Sequence, residues 1–200
     1  MAKLEKALFY IFIFLIPFQI RIFLSEPVNE WNSIFLYLGD IILFLILILW
    51  VLRKGLRDIF GGLTSHGRLN LIILILFLAV ALISVFFSSA TKISIFRWVK
   101  LVEFVILYLY ISFNYGPKAL SALGPRTNIL RILVLGGVLQ SILAIAQFIK
   151  QGSIGIKFIE AGVFSPNSPG VANFILNGDR ILRSYGSFSH PNVLAGFILL

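Results

Sequence analysis

Apolar residues in this chain come in long unbroken runs, not in alternation or as a stripe along one helical face. Five runs cover residues 7–24, 34–52, 71–87, 93–113 and 129–149. An α-helix needs roughly 20 apolar residues to cross about 30 Å of hydrocarbon, and each run approaches that length. A sixth run begins near Asn192 and reaches Leu200. The pattern predicts an all-α integral membrane protein, a polytopic helix bundle with five complete spans plus the start of a sixth. It forms one membrane domain over residues 1–200. Because the last run is too short to span, the chain reads as the truncated front part of a longer protein. The first run is expected to be a retained helix, since the SEPVNE that follows lacks the small-residue pattern of a signal cleavage site.

The segment 150–190 breaks this pattern. In VANFILNGDRILRSYG, two short apolar-rich stretches flank Asn177-Gly178. A type I′ turn needs positive φ at both central residues, and Asn-Gly supplies it, so a small β-hairpin is expected here. The upstream FSPNSPG is turn chemistry.

Composition supports the membrane reading. The chain is 59% hydrophobic and 12% charged, with a mean hydropathy of +1.00, whereas soluble domains carry roughly 25% charged residues. The net charge of +9 does not point to nucleic acid, since no basic helix or aromatic-basic module accompanies it. It is better read as a topology signal. Lys3 and Lys6 precede the first run, Arg53, Lys54, Arg57 and Arg68 follow the second, and Lys118, Arg126 and Arg131 follow the fourth. The first loop, SEPVNEWN, has no Lys or Arg. This bias puts the amino-terminus in the cytoplasm and the loop 150–190 outside. The chain has no cysteine, which removes disulfides and thiol chemistry. His66, in a basic loop, has no assigned role.

Candidate chemistry gathers at the end of the hairpin segment, RILRSYGSFSHPNVLAGF. Ser189 is expected to cap a helix whose first turn holds His190 and Pro191. The free N–H groups at that helix start attract anions, and Arg180 and Arg183 arrive beside it. Their spacing places them on opposite faces of a strand, and Arg183 is the nearer to the helix. Two uses remain open for the pair: an oxyanion or phosphate site, or contact with lipid headgroups.

An arginine followed by G-x-F-x-x-P-N and a small residue, opening a membrane helix, resembles the motif of the O-antigen ligase and polymerase family. The positions are Arg183, Gly186, Phe188, Pro191, Asn192 and Ala195, with His190 before the proline. The sharp part of the resemblance covers about residues 180–200. The resemblance implies a GT-C-like membrane glycosyltransferase in the bacterial plasma membrane. It implies a donor glycan on undecaprenyl pyrophosphate, and as acceptor lipid A-core (lipopolysaccharide assembly), a growing cell-surface polysaccharide or a protein hydroxyl. It implies no cofactor and no metal. Arg183 and Arg180, with Arg97, become expected pyrophosphate-binding residues. The catalytic residues are unknown, with His190 a possible general base, and the 200 residues alone are expected to be inactive.

Other polar residues have simpler uses beside these. Arg97, Lys100 and Glu103 share a helical face, so either Arg97 joins the pyrophosphate site or Lys100 pairs with Glu103 while Arg97 snorkels. Arg21 is expected to anchor the end of helix one at the interface. Asp40 is expected to stabilise the start of helix two. Gln140 and Gln147, two turns apart, are expected to bond a neighbouring helix. The competing functions are a transporter or flippase subunit of polysaccharide export, and a non-catalytic scaffold.

Overall fold

The computed structural model describes residues 1–24, 33–65, 68–115, 124–160, 162 and 164–199. The acidic first loop, His66 and Lys118 lie outside them. In chain order the described elements are α1 (Ala2–Leu15), β1 (Arg21–Phe23), β2 (Phe35–Tyr37), α2 (Leu38–Lys54), α3 (Leu56–Ser65), α4 (Arg68–Phe86), α5 (Thr91–Tyr115), α6 (Gly124–Lys150), β3 (Asn173–Leu176), β4 (Asp179–Leu182) and α7 (Pro191–Ile198). The strands form two sheets of two, β1 with β2 and β3 with β4.

Among the described residues two helices, over Leu69–Phe86 in α4 and Asn128–Lys150 in α6, are long and apolar enough to cross a membrane. This corrects the expectation of a bundle with five complete spans, and the GT-C-like architecture tied to it. Unbroken apolar sequence does not say whether it folds as helix or strand, and here it does both. The run 7–24 is helical only to Leu15. Pro17 follows, and Arg21 lies in β1 instead of anchoring a helix end. A helix of 14 residues measures only about 21 Å. The run 34–52 opens as β2 and turns helical at Leu38. There the Asp40 carboxylate accepts from the Tyr37 N–H at 2.8 Å, so Asp40 reaches back one turn to cap α2. At 25 residues α5 is long enough, but Lys92, Arg97, Lys100 and Glu103 interrupt it. The basic segment after α2 forms α3, set off by Gly55 at φ 76.

The residues divide into two compact units. Unit 1 holds Met1–Phe9, Phe23–Phe35 and Ile42–Thr127. Its core is aromatic. Phe9 stacks on Tyr115 with ring centroids 4.7 Å apart, and Trp50 meets Tyr110 edge-on at 5.4 Å. Beside them Glu5 is 3% exposed. Its carboxylate accepts from Arg53 Nε at 2.7 Å and Nη2 at 2.9 Å, and from the Tyr110 hydroxyl at 3.1 Å. Arg53 also donates to Asn114 Oδ1. The α4–α5 contact is fixed by Trp98, whose Nε1 donates to the Leu78 carbonyl at 3.0 Å.

Unit 2 holds Tyr10–Ile22, Leu36–Ile41 and Asn128–Leu200. Along α6, Gly136 leaves room for the Pro17 ring, whose Cγ lies 3.0 Å from where a β-carbon would sit. Ala144, Phe188 and Leu194 form one buried cluster. Phe164, Leu182 and Tyr185 form another.

Candidate functional site

The hairpin forms where Asn-Gly places it. Residues β3 and β4 pair antiparallel with Leu176 opposite Asp179, and the turn has Asn177 at φ 52 and Gly178 at φ 92. Arg180 lies within β4, exposed, opposite Ile175. Arg183 comes just past the strand, where its N–H donates to the Ala172 carbonyl at 3.1 Å.

From there the chain reaches α7 through a turn pinned to α6 by glutamine side chains. The Gln147 Oε1 accepts from the N–H groups of Tyr185 at 3.0 Å and Gly186 at 2.8 Å. Its Nε2 donates to the Gly186 carbonyl at 2.8 Å. One helical turn pair earlier, Gln140 Oε1 accepts from the Ser187 N–H at 2.9 Å, and its Nε2 donates to Ser187 Oγ and to the Pro17 carbonyl. Ser187 Oγ donates to the same carbonyl at 2.6 Å. Both glutamines are 0% exposed, so each bond is made without competing water. The expected use was a bond to a neighbouring helix; the partner is instead the loop.

A third glutamine was not singled out from the sequence. Gln151 has φ 53, and the Gly152 N–H donates back to the Gln147 carbonyl, a Schellman-type end to α6. The Gln151 Oε1 then accepts from the Leu182 N–H at 2.7 Å. Gln140 and Gln147 share a face of α6, and Gln151, just past the helix end, continues their spacing, which was the available signal.

Gly186 sits at φ 59, and a β-carbon there would lie 2.6 Å from Gln140 Oε1 and 3.1 Å from Leu194 Cδ1. Phe188 and Pro191 are buried as well. Helix α7 opens with Pro191 at its first position, but the cap is His190, not Ser189. His190 has extended φ and ψ, and its Nδ1 accepts from the Asn192 N–H at 3.2 Å. With Nδ1 so engaged, a neutral imidazole carries its proton on Nε2 and presents a donor. That weighs against the general-base role considered for His190. Arg183 Nη2 donates to Asn192 Oδ1 at 2.8 Å, which holds the guanidinium at the start of α7.

The motif therefore divides in two. Gly186, Phe188 and Pro191 are buried and shape the turn, while Arg183, His190 and Asn192 are exposed together. Arg97 belongs to unit 1 and Arg183 to unit 2, and on α5 Lys100 Nζ pairs with Glu103 Oε2 at 3.1 Å. Among the described residues no group of three or more His, Cys, Asp or Glu is placed to hold a metal.

Behind the turn, Glu160 closes the segment that leaves α6. Its carboxylate accepts from the N–H groups of Ile154, Gly155 and Ile156 and from Gln147 Nε2 at 2.9 Å. Burial alone pushes this carboxyl upward, but the four donors outweigh it and hold it below the ordinary glutamate value. The folded value is thus lower than the unfolded one. Ionised Glu160 stabilises the loop at neutral pH, and this contribution is lost as pH falls through the folded value. A 13C NMR titration should show the Glu160 carboxyl titrating below a free glutamate side chain; a midpoint at or above it would contradict the arrangement.

No family model, no curated protein and no solved structure matches the chain, so the reading of these residues rests on the chain itself.

Proposed function

We propose that the chain acts in the transfer or polymerisation of a glycan carried on undecaprenyl pyrophosphate, at the outer face of a bacterial plasma membrane crossed by α4 and α6. One observation carries this reading: Arg183, His190 and Asn192 stand exposed together at the start of α7, on a turn held from below by buried residues. Arginine holds phosphate oxygens in a planar fork. The expected free N–H groups of the helix start are not part of the site, because Pro191 has none and those of Asn192, Val193 and Leu194 are bonded to His190.

In the reaction, an acceptor hydroxyl attacks the anomeric carbon. The bond from that carbon to the pyrophosphate oxygen breaks, and the electron pair leaves with the lipid pyrophosphate. Negative charge grows on the departing oxygens, where Arg183 and the His190 Nε2–H donate to it. The proton lost by the hydroxyl needs a base that these residues do not supply. The acceptor is a glycan, lipid A-core or a protein hydroxyl.

Arg183→Ala should lower transfer from the lipid-linked donor about 100-fold, the usual effect of removing one donor to a developing oxyanion. The measurement uses membranes of cells carrying the intact gene, with protein level monitored by immunoblot. Full transfer by the variant at normal level would overturn the proposal.

A further inference from the structure

We propose that Glu160 is a positioning residue for the Arg183 site, acting through the side-chain amide of Gln147. What the site binds rests on the pyrophosphate reading above; the relay itself does not.

The argument turns on the chemistry of an amide. Gln147 has one acceptor oxygen and one donor NH2, and the two can exchange places with almost no change of shape. In the observed orientation Oε1 faces the N–H groups of Tyr185 and Gly186, while Nε2 faces the Gly186 carbonyl and Glu160 Oε1. An ionised carboxylate only accepts. The reversed amide would set oxygen against the Gly186 carbonyl and, with Glu160 in place, against a charged carboxylate oxygen as well, so Glu160 reinforces the orientation that grips the turn. Glu160 cannot follow a moving amide, because the consecutive N–H groups of Ile154, Gly155 and Ile156 hold it from behind. Gly155 adopts φ 98 in that cradle.

From Gln147 the constraint reaches the exposed residues in two directions. The Tyr185 ring meets the His190 ring at 6.4 Å, edge to face. The Tyr185 hydroxyl accepts from the Ala172 N–H at 2.7 Å, and the Ala172 carbonyl accepts from the Arg183 N–H. A loosened grip at Tyr185 thus releases both His190 and the backbone of Arg183. Glu160 is itself partly exposed, and its hydrogen bonds go to Gln147, Ile154, Gly155 and Ile156, so its effect on Arg183 and His190 is indirect.

The test compares the full chain with its Glu160→Gln variant in lipid nanodiscs, using inorganic pyrophosphate as probe in titration calorimetry and amide hydrogen exchange as a second readout. In the variant one of the two accepting oxygens becomes NH2 and the charge is lost, so the four donors compete for the oxygen that remains and the bond from the Gln147 amide weakens. Amide exchange at Tyr185 and Gly186 should accelerate, while that at Leu182, held by Gln151, stays as it was. The pyrophosphate Kd should rise about tenfold, the equivalent of one net hydrogen bond, at unchanged stoichiometry. A merely structural role would instead reduce the number of binding sites and leave the affinity of those that remain. That result, or unchanged exchange at Tyr185 and Gly186, overturns the relay. If the unaltered chain binds no pyrophosphate, the transferase reading fails, and the exchange rates alone decide whether Glu160 governs the turn.

Discussion

Arg53→Ala will destabilise unit 1 by about 1–3 kcal/mol, the cost of leaving a buried acceptor without its partner, since Glu5 is enclosed while the Arg53 side chain is itself 27% exposed. Glu5 keeps its place after the substitution but loses both guanidinium bonds, leaving the Tyr110 hydroxyl as its described partner. With its side chain 4% exposed, the carboxylate has little access to water. The melting temperature, followed by circular dichroism in detergent, should drop by about 5 °C. The double variant Glu5→Leu with Arg53→Met removes the stranded charge and should recover most of the loss. Equal melting temperatures for the single and double variants would show that the pair is not what holds this region. The Lys100–Glu103 pair is a useful contrast. Its side chains are 18% and 23% exposed, so neither charge is as enclosed as Glu5, and as a single contact three residues apart on one helix it contributes under about 1 kcal/mol.

Gly186→Ala should release the turn that carries Arg183. A non-glycine residue in the left-handed region costs about 1–2 kcal/mol, and here the added carbon also displaces Gln140 or Leu194. Moving Gln140 strands the Ser187 N–H, and each buried group left without a partner costs about 1–3 kcal/mol. Trypsin digestion provides the check, since Arg180 and Arg183 are exposed but are held in place by their backbone. Cleavage after Arg183 should become rapid in the variant. Gly178→Ala is the control: its φ is 92, yet nothing lies within 4 Å of the added carbon, so only backbone strain enters. If both variants resist trypsin equally, the close packing at Gly186 has no role in holding the turn.

What the sequence made legible was whatever depends on neighbouring residues. The hairpin is written in Asn177 and Gly178, because positive φ at two successive positions is a local demand. The spans were not legible in the same way. Runs of Ile, Leu and Phe suit helix and strand alike, and only contacts such as Tyr37 with Asp40 show that a helix starts at Leu38 and not at Ile34. The site was half legible. Arg183 and Asn192 stand together as the motif suggested, but the cap moved by one residue, since serine and histidine both offer an acceptor. For Gln140 and Gln147, spacing revealed a shared face and could not reveal what lies opposite it. Glu160 was invisible, because its donors are backbone groups that exist only once the loop has closed.

The carbonyl of Pro17 has a further consequence, one of timing. Its partner Ser187 lies 170 residues downstream, and at about 5–20 residues per second a ribosome needs roughly ten to thirty seconds to cover that distance. Gln140, 123 residues downstream, can bond that carbonyl sooner, but the end of α1 is made and not finished until Ser187 has followed. A turn laid down at the start of synthesis is therefore sealed by the motif that follows Arg183, and the two are completed at one moment.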